Sequence, residues 1–224
     1  MNINDLRPAK DFANKFGVKS IIYGPPGTGK TPIANTAPRP LLLATEPGLL
    51  SMRNSTMPTF RAFEAKLIDE FFLWFFSSAE VKNFDTLVID STSQMADIYL
   101  QEAKKTIKHG LQQYGQMADY TMLHLRRLYF KEEMHTYLIA KQETETINNI
   151  QMRKPYYPGK QLPIDVPHMY DVIAHLAKVP IPGHGENLAF RCIGSYDIVA
   201  RNRTGNLDEF EPPDFGALVK KAMA

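Results

Sequence analysis

Eight consecutive residues carry the chemistry that can be read most directly from this chain. Gly24-Pro25-Pro26-Gly27-Thr28-Gly29-Lys30-Thr31 fills every fixed position of the phosphate-cradling pattern G-x-x-x-x-G-K-[ST]. Glycines let successive backbone N–H groups curl around an anion, and a helix starting at Lys30 turns its free N–H groups to the same place. Lys30 is placed to bridge β- and γ-phosphate oxygens, and the Thr31 hydroxyl to ligate Mg²⁺. Pro32 falls in the first helical turn, where a missing N–H is tolerated. The expected ligands are therefore ATP or ADP with Mg²⁺.

A phosphate loop of this kind works with an acid on a neighbouring strand. Leu87-Val88-Ile89-Asp90 supplies it: an apolar run with Asp at its C-terminal end, where ligands sit in open α/β sheets. Asp90 is expected in the Mg²⁺ shell, with Ser91 assisting; its alternative role is to cap the next helix. Hydrolysis also needs a group that orients or deprotonates water. The position after Asp90 is a serine, so the candidate base moves to Glu46, at the end of the PLLLATE run and before a Pro47-Gly48 turn.

These residues need a sheet to hold them. VKSIIY (18–23), PLLLATE (40–46), TLVID (86–90) and TYLIAK (136–141) read as buried strands. Between them, 30–37, 61–80, 91–105 and 116–133 read as helices, with a loop at 106–115. Residues 144–163 read as a loop or hairpin, 165–178 as a further helix, and 188–194 with 196–202 as paired strands. Continuous apolar strands alternating with helices predict an α/β fold, mostly parallel, covered on both faces. The expected organisation is a mobile arm at 1–16, one ATPase domain at 17–216 and a tail at 217–224.

Composition sets the outer limits. The chain has 224 residues, 44% hydrophobic and 22% charged, which is ordinary globular usage. Twenty-six Lys+Arg against 24 Asp+Glu leave a net charge of +2, so any nucleic-acid contact must be local. The single cysteine, Cys192, forms no internal disulfide and fits a reducing compartment, hence a cytoplasmic location. It reads as a core residue, and the six histidines have no metal-ligand spacing. The most apolar stretch, 67–76, carries Asp69 and Glu70 and is too short for a bilayer, so no membrane association is expected.

GPPGTGKT, PLLLATEPG, TLVIDS, Tyr114-Gly115 and VARNRTG together resemble the RecA-like P-loop ATPases. More narrowly, they resemble the small Sak-type single-strand annealing ATPases and nucleotide-binding proteins of phages, over roughly residues 18–215. The resemblance implies an ATPase acting on single-stranded DNA in recombination or annealing, in the host cytoplasm if phage-encoded. It implies Glu46 as catalytic base and Gln142, at the tip of TYLIAK, as γ-phosphate sensor; a turn residue is the other reading of Gln142. It also implies self-association, with Arg201 and Arg203 reaching a neighbouring subunit's ATP site, and a single-strand-binding protein as partner. Ala44-Thr45-Glu46 departs from the Asp-Thr-Glu common in the family, which removes one acid near the metal.

Two polar segments stand where such cores face DNA. One, 104–116, carries Lys104, Lys105, Lys108, His109 and Tyr114. The other, 144–163, carries Arg153, Lys154, Tyr156, Tyr157 and Lys160. Cations for phosphates with rings for bases suit a single strand; the tyrosines could equally pack their loop onto the domain. The rival readings are an ATPase serving as helicase loader or motor accessory through a protein partner, and a small-molecule kinase. No arginine-rich lid of the kind kinases carry is evident.

Overall fold

In the computed structural model, residues 2, 6–13, 15–181 and 185–224 are described. Part of the expected N-terminal arm therefore lies outside the described residues; within it, Lys10–Ala13 form one helical turn, α1. The strands are β1 (Lys19–Tyr23), β2 (Pro40–Ala44), β3 (Thr59–Arg61), β4 (Thr86–Asp90), β5 (His135–Ile147), β6 (Ile150–Tyr156), β7 (Val172–Ile181), β8 (Gly185–Arg191), β9 (Arg201–Asn202) and β10 (Phe210–Glu211). The remaining helices are α2 (Lys30–Ile33), α3 (Ala65–Ser77), α4 (Thr92–Thr106), α5 (Gly110–Tyr129), α6 (Leu162–Met169) and α7 (Phe215–Ala222).

The main sheet runs β10-β8-β7-β1-β5-β4-β2-β3. From β7 to β3 every neighbouring pair is parallel. Side chains alternate between two cores, as the two-residue period of a strand requires. Ile21, Leu43, Ile89 and Leu138 face α3, α4, α5 and α6. Ile22, Leu42, Val88 and Ile139 face α2 and α7. Burial on both faces is why these strands read as unbroken apolar runs. α3 buries Ile68, Phe71, Phe72 and Phe75 at helical spacing, so its aromatics are core.

Three elements differ from expectation. Residues 165–178 are not one helix: α6 stops at Met169, and Val172 onward forms β7, paired with β1 from Ser20↔Val172 to Tyr23↔His175. The run VIAHLAKV has no decisive local preference, and pairing beside the phosphate-loop strand settles it. The segments 188–194 and 196–202 are not partners of one another. β8 and β9 lie end to end along the edge of β7 that faces away from β1, and Ser195 N–H bonds Ile198 O in a turn between them. The residues set apart as a tail form α7, capped by the Asp214 carboxylate at Ala217 N–H (2.9 Å), with Leu218, Val219 and Ala222 buried.

Two smaller differences bear on the polar segments. α5 begins at Gly110, so the loop expected at 106–115 shrinks to 107–109. Residues 141–156 form a hairpin from the extended end of β5 and β6. Asn148 and Asn149, with φ of 51° and 63°, make the tight turn that suits strand twist.

Candidate nucleotide site

The loop after β1 owes its path to glycine. A Cβ at Gly24 would lie 2.2 Å from the carbonyl oxygen of Leu176 on β7, so only glycine lets the two backbones meet. Gly27 and Gly29, at φ 78° and 82°, take the left-handed conformation. α2 is a single turn continued by a tighter turn at Ala34–Thr36, because Ala37 is held extended before Pro38. A helix this short adds little dipole, so loop N–H groups and the Lys30 ammonium must do most of the anion binding. Lys30 Nζ donates to the carbonyls of Gly24 (2.9 Å) and Pro25 (2.8 Å). Burial lowers its pKa, and Asp90 and Glu46 raise it again.

Thr31 and Asp90 come together across the sheet. Thr31 Oγ1 donates to Asp90 Oδ2 at 2.6 Å. Burial pushes the Asp90 carboxyl up; the Thr31 bond and Lys30 oppose that, and Glu46 adds to it. A half-buried carboxylate beside a hydroxyl is a hard-oxygen pair that fits Mg²⁺, which takes one or two protein oxygens and completes its shell with phosphates and water. Among the described residues no group of three or more His, Cys, Asp or Glu could cage a metal alone.

Ala44 pairs with Asp90, so Glu46 emerges two residues further along the adjacent strand. The corner is locked by Thr45: its N–H bonds Asp90 O (2.8 Å), its Oγ1 donates to Ser91 O and accepts from Ser91 N–H (both 2.9 Å). Ser91 Oγ in turn donates to Glu46 Oε1 at 2.5 Å. The Asp90–Ser91 peptide is cis. Lys141 stands behind this corner, 3.9 Å from Glu46 and 3.6 Å from Asp97, with a 2.8 Å bond to Gln94. Its neighbour Gln142 points to the other side, where Oε1 lies 2.9 Å from His175 Nε2.

The AAA domain family (AAA_24) matches residues 17–203, most of the chain. The chain belongs to this family. An AAA domain is a P-loop ATPase module, so nucleotide binding is expected at the site just described. Among solved structures, the KaiC-like protein PH0186 from Pyrococcus horikoshii OT3 is similar at 12% identity and a TM-score of 0.43, over 79% of this chain and 77% of that one. A search of curated proteins returned no match. Among the described residues of this AAA domain, no helix is long and apolar enough to cross a membrane.

The remaining candidates are placed elsewhere. Arg201 and Arg203 sit where β9 meets the first residues of β7, at the end of the sheet opposite the phosphate loop. Arg201 donates to the carbonyls of Pro167 and Tyr170, and Arg203 to those of His168 (2.8 Å) and Met169 (3.4 Å). Within the chain they cap α6. Arg153 faces Asp197 at 3.7 Å. Lys154 is paired with Glu143 and Glu145 across the hairpin, which offsets its charge. Tyr156 is half-buried and Lys160 exposed. Tyr157 corrects an expectation: it is 2% exposed, inside the core, and offers no face to a base. Cys192 is buried, which pushes its thiol up to about 12.

Sequence reasoning passed over Lys141, Thr45 and His175. Lys141 had a visible signal, since it is one residue from Gln142 and strand alternation sends it to the opposite side. Thr45 and His175 had none beyond their closeness to other candidates.

Proposed function

We propose that this AAA domain hydrolyses ATP with a RecA-like division of labour and couples turnover to single-stranded DNA. The observation that carries the first half is the shared corner of Thr31, Asp90 and Glu46, built on the Ala44↔Asp90 register. Loop N–H groups and Lys30 hold the polyphosphate. Thr31 and Asp90 hold the metal, which supplies charge neutralisation at the phosphate oxygens. Glu46 accepts the proton of the attacking water, with Ser91 fixing one carboxylate oxygen and leaving the other free. Gln142 contacts the terminal phosphate from the root of the hairpin.

The DNA half rests on the resemblance to phage annealing ATPases and on the hairpin that continues from Gln142. With Lys154 offset and Tyr157 buried, Lys160, the half-buried Tyr156 and Arg153, once it leaves Asp197, are left to meet a strand. Turnover measured with and without oligothymidine tests it: stimulation is expected. Replacing Arg153 and Lys160 with alanine should lower the salt slope of binding by roughly 1.4, at about 0.7 counterion per contact. The carboxylates of Glu143 and Glu145 on the same hairpin favour a second reading, an ATPase acting through a protein partner. Unstimulated turnover together with no oligothymidine binding would select it.

A further inference from the structure

β5 and β7 flank β1 on either side, and one side chain from each meets over the root of the phosphate loop. Tyr23, the last residue of β1, pairs with His175 on β7 and with Ala140 on β5, two residues before Gln142. The contact is His175 Nε2 to Gln142 Oε1, at 2.9 Å. A carboxamide oxygen only accepts, so Nε2 carries the proton and donates. Nδ1 is then the lone-pair nitrogen, and it is buried without a partner. The ring lies 4.9 Å from that of Tyr23, and a phenyl group would fill the same space with no bare nitrogen. The polar ring therefore earns its place through the bond from Nε2. The charged groups facing it are Arg153, Arg191, Asp197 and Lys30; burial first, then the two arginines, lowers its pKa to about 4, so it is neutral near pH 7. Turning the Gln142 amide over would put the ring proton on Nδ1 and bury an N–H with no acceptor, which costs more than burying a lone pair. The Gln142 NH₂ has no partner among the described residues and is left to donate.

We propose that His175 is a positioning residue of the ATPase site. By anchoring Oε1 of Gln142 across the end of β1, it presents the carboxamide N–H groups to the phosphates held by the loop. This rests on the reading of Gln142 as the group that meets the terminal phosphate.

The test is His175→Phe, which keeps a ring against Tyr23 and removes the donor. Steady-state kcat is expected to fall about tenfold with ATP affinity kept within about twofold. In a Gln142→Ala background the same change should add nothing, because the two act as one unit. His175→Gln, whose amide can donate, should recover part of the loss. A wild-type rate in His175→Phe, or an equal loss in the Gln142→Ala background, overturns the proposal. Wild-type turnover in Gln142→Ala would instead remove the reading beneath it. Should His175→Phe fail to fold, ¹⁵N NMR of the unaltered protein decides. A ring protonated at Nε2 and not titrating between about pH 5.5 and 8 is expected, and one titrating near its ordinary 6.5 overturns the idea.

Discussion

Two lysines eleven residues apart hold the two ends of the same sheet, and they are bonded alike. Lys30 Nζ reaches the carbonyls of Gly24 and Pro25 at the phosphate-loop end. Lys19 Nζ reaches those of Lys131 (2.9 Å) and Met134 (2.6 Å) at the other. Their surroundings separate them. Lys30 is half-buried, with Asp90 and Glu46 near enough to support its charge. Lys19 is fully buried, and burial outweighs the help of Asp171, lowering its pKa to about 7. The same pattern holds for whole ends of the molecule. At the loop end, Gln142 NH₂ and one Glu46 oxygen keep donor and acceptor capacity for a ligand. At the far end, Lys19, Arg201 and Arg203 each aim donors at backbone carbonyls. What separates the two ends is the company each lysine keeps: carboxylates and groups with spare bonding capacity around Lys30, and buried backbone around Lys19.

The strongest way to break this contrast is to remove each lysine. Lys30→Ala should cut ATP turnover roughly a hundred- to a thousandfold, as loss of a donor aimed at developing charge does, with little change in melting temperature. Equal turnover in steady-state assays would end the site assignment. Glu46→Gln should lower hydrolysis about a hundredfold while nucleotide affinity, read by calorimetry, stays near wild type. If both fall together, Glu46 holds the site rather than acting on water.

Lys19 should report on stability instead. Folded, its amine gives up a proton near pH 7; unfolded, it keeps that proton to its ordinary 10.5. Between those values the unfolded chain binds more protons, so this group makes the fold more stable as pH rises. From pH 7 to 9 the gain should be roughly 2–3 kcal/mol, and Lys19→Met should abolish it in urea melts at the two pH values. A variant with the same rise would locate the titration elsewhere. The smallest effect sharpens the view of the hairpin's root. Thr92 Oγ1 already donates to Ile139 O, so the Tyr157 hydroxyl donates to Thr92, 3.0 Å away. Tyr157→Phe should cost about 1 kcal/mol of stability and leave any DNA affinity unchanged. Weaker DNA binding in anisotropy assays would mean that Tyr157 leaves the core.

What could be read from residues alone was local. The phosphate loop, the Asp90 strand and the α3 face are contiguous patterns whose meaning does not depend on distant partners, and each lies where its pattern placed it. β7 could not be read this way. Val172–Ile181 contains Ala, Leu and Lys as well as β-branched residues, and only the free edge of β1 makes it a strand. Arg201 and Arg203 kept their two-residue spacing, but spacing does not say whether the carbonyl ends of α6 lie within reach. His175 looked like one of six scattered histidines because its partner is 33 positions away in the chain.

The strand order has a consequence for how the protein is made. Among the described residues, β1 finds its strand neighbours in β5 and β7, at residues 136–140 and 172–175. A ribosome adding 5–20 residues per second therefore leaves Lys19–Tyr23 without a partner for on the order of ten seconds. During that interval an apolar strand followed by a glycine-rich loop hangs free. Until β5 has been made, the nascent chain offers a chaperone a handle in the very segment that will later hold phosphate.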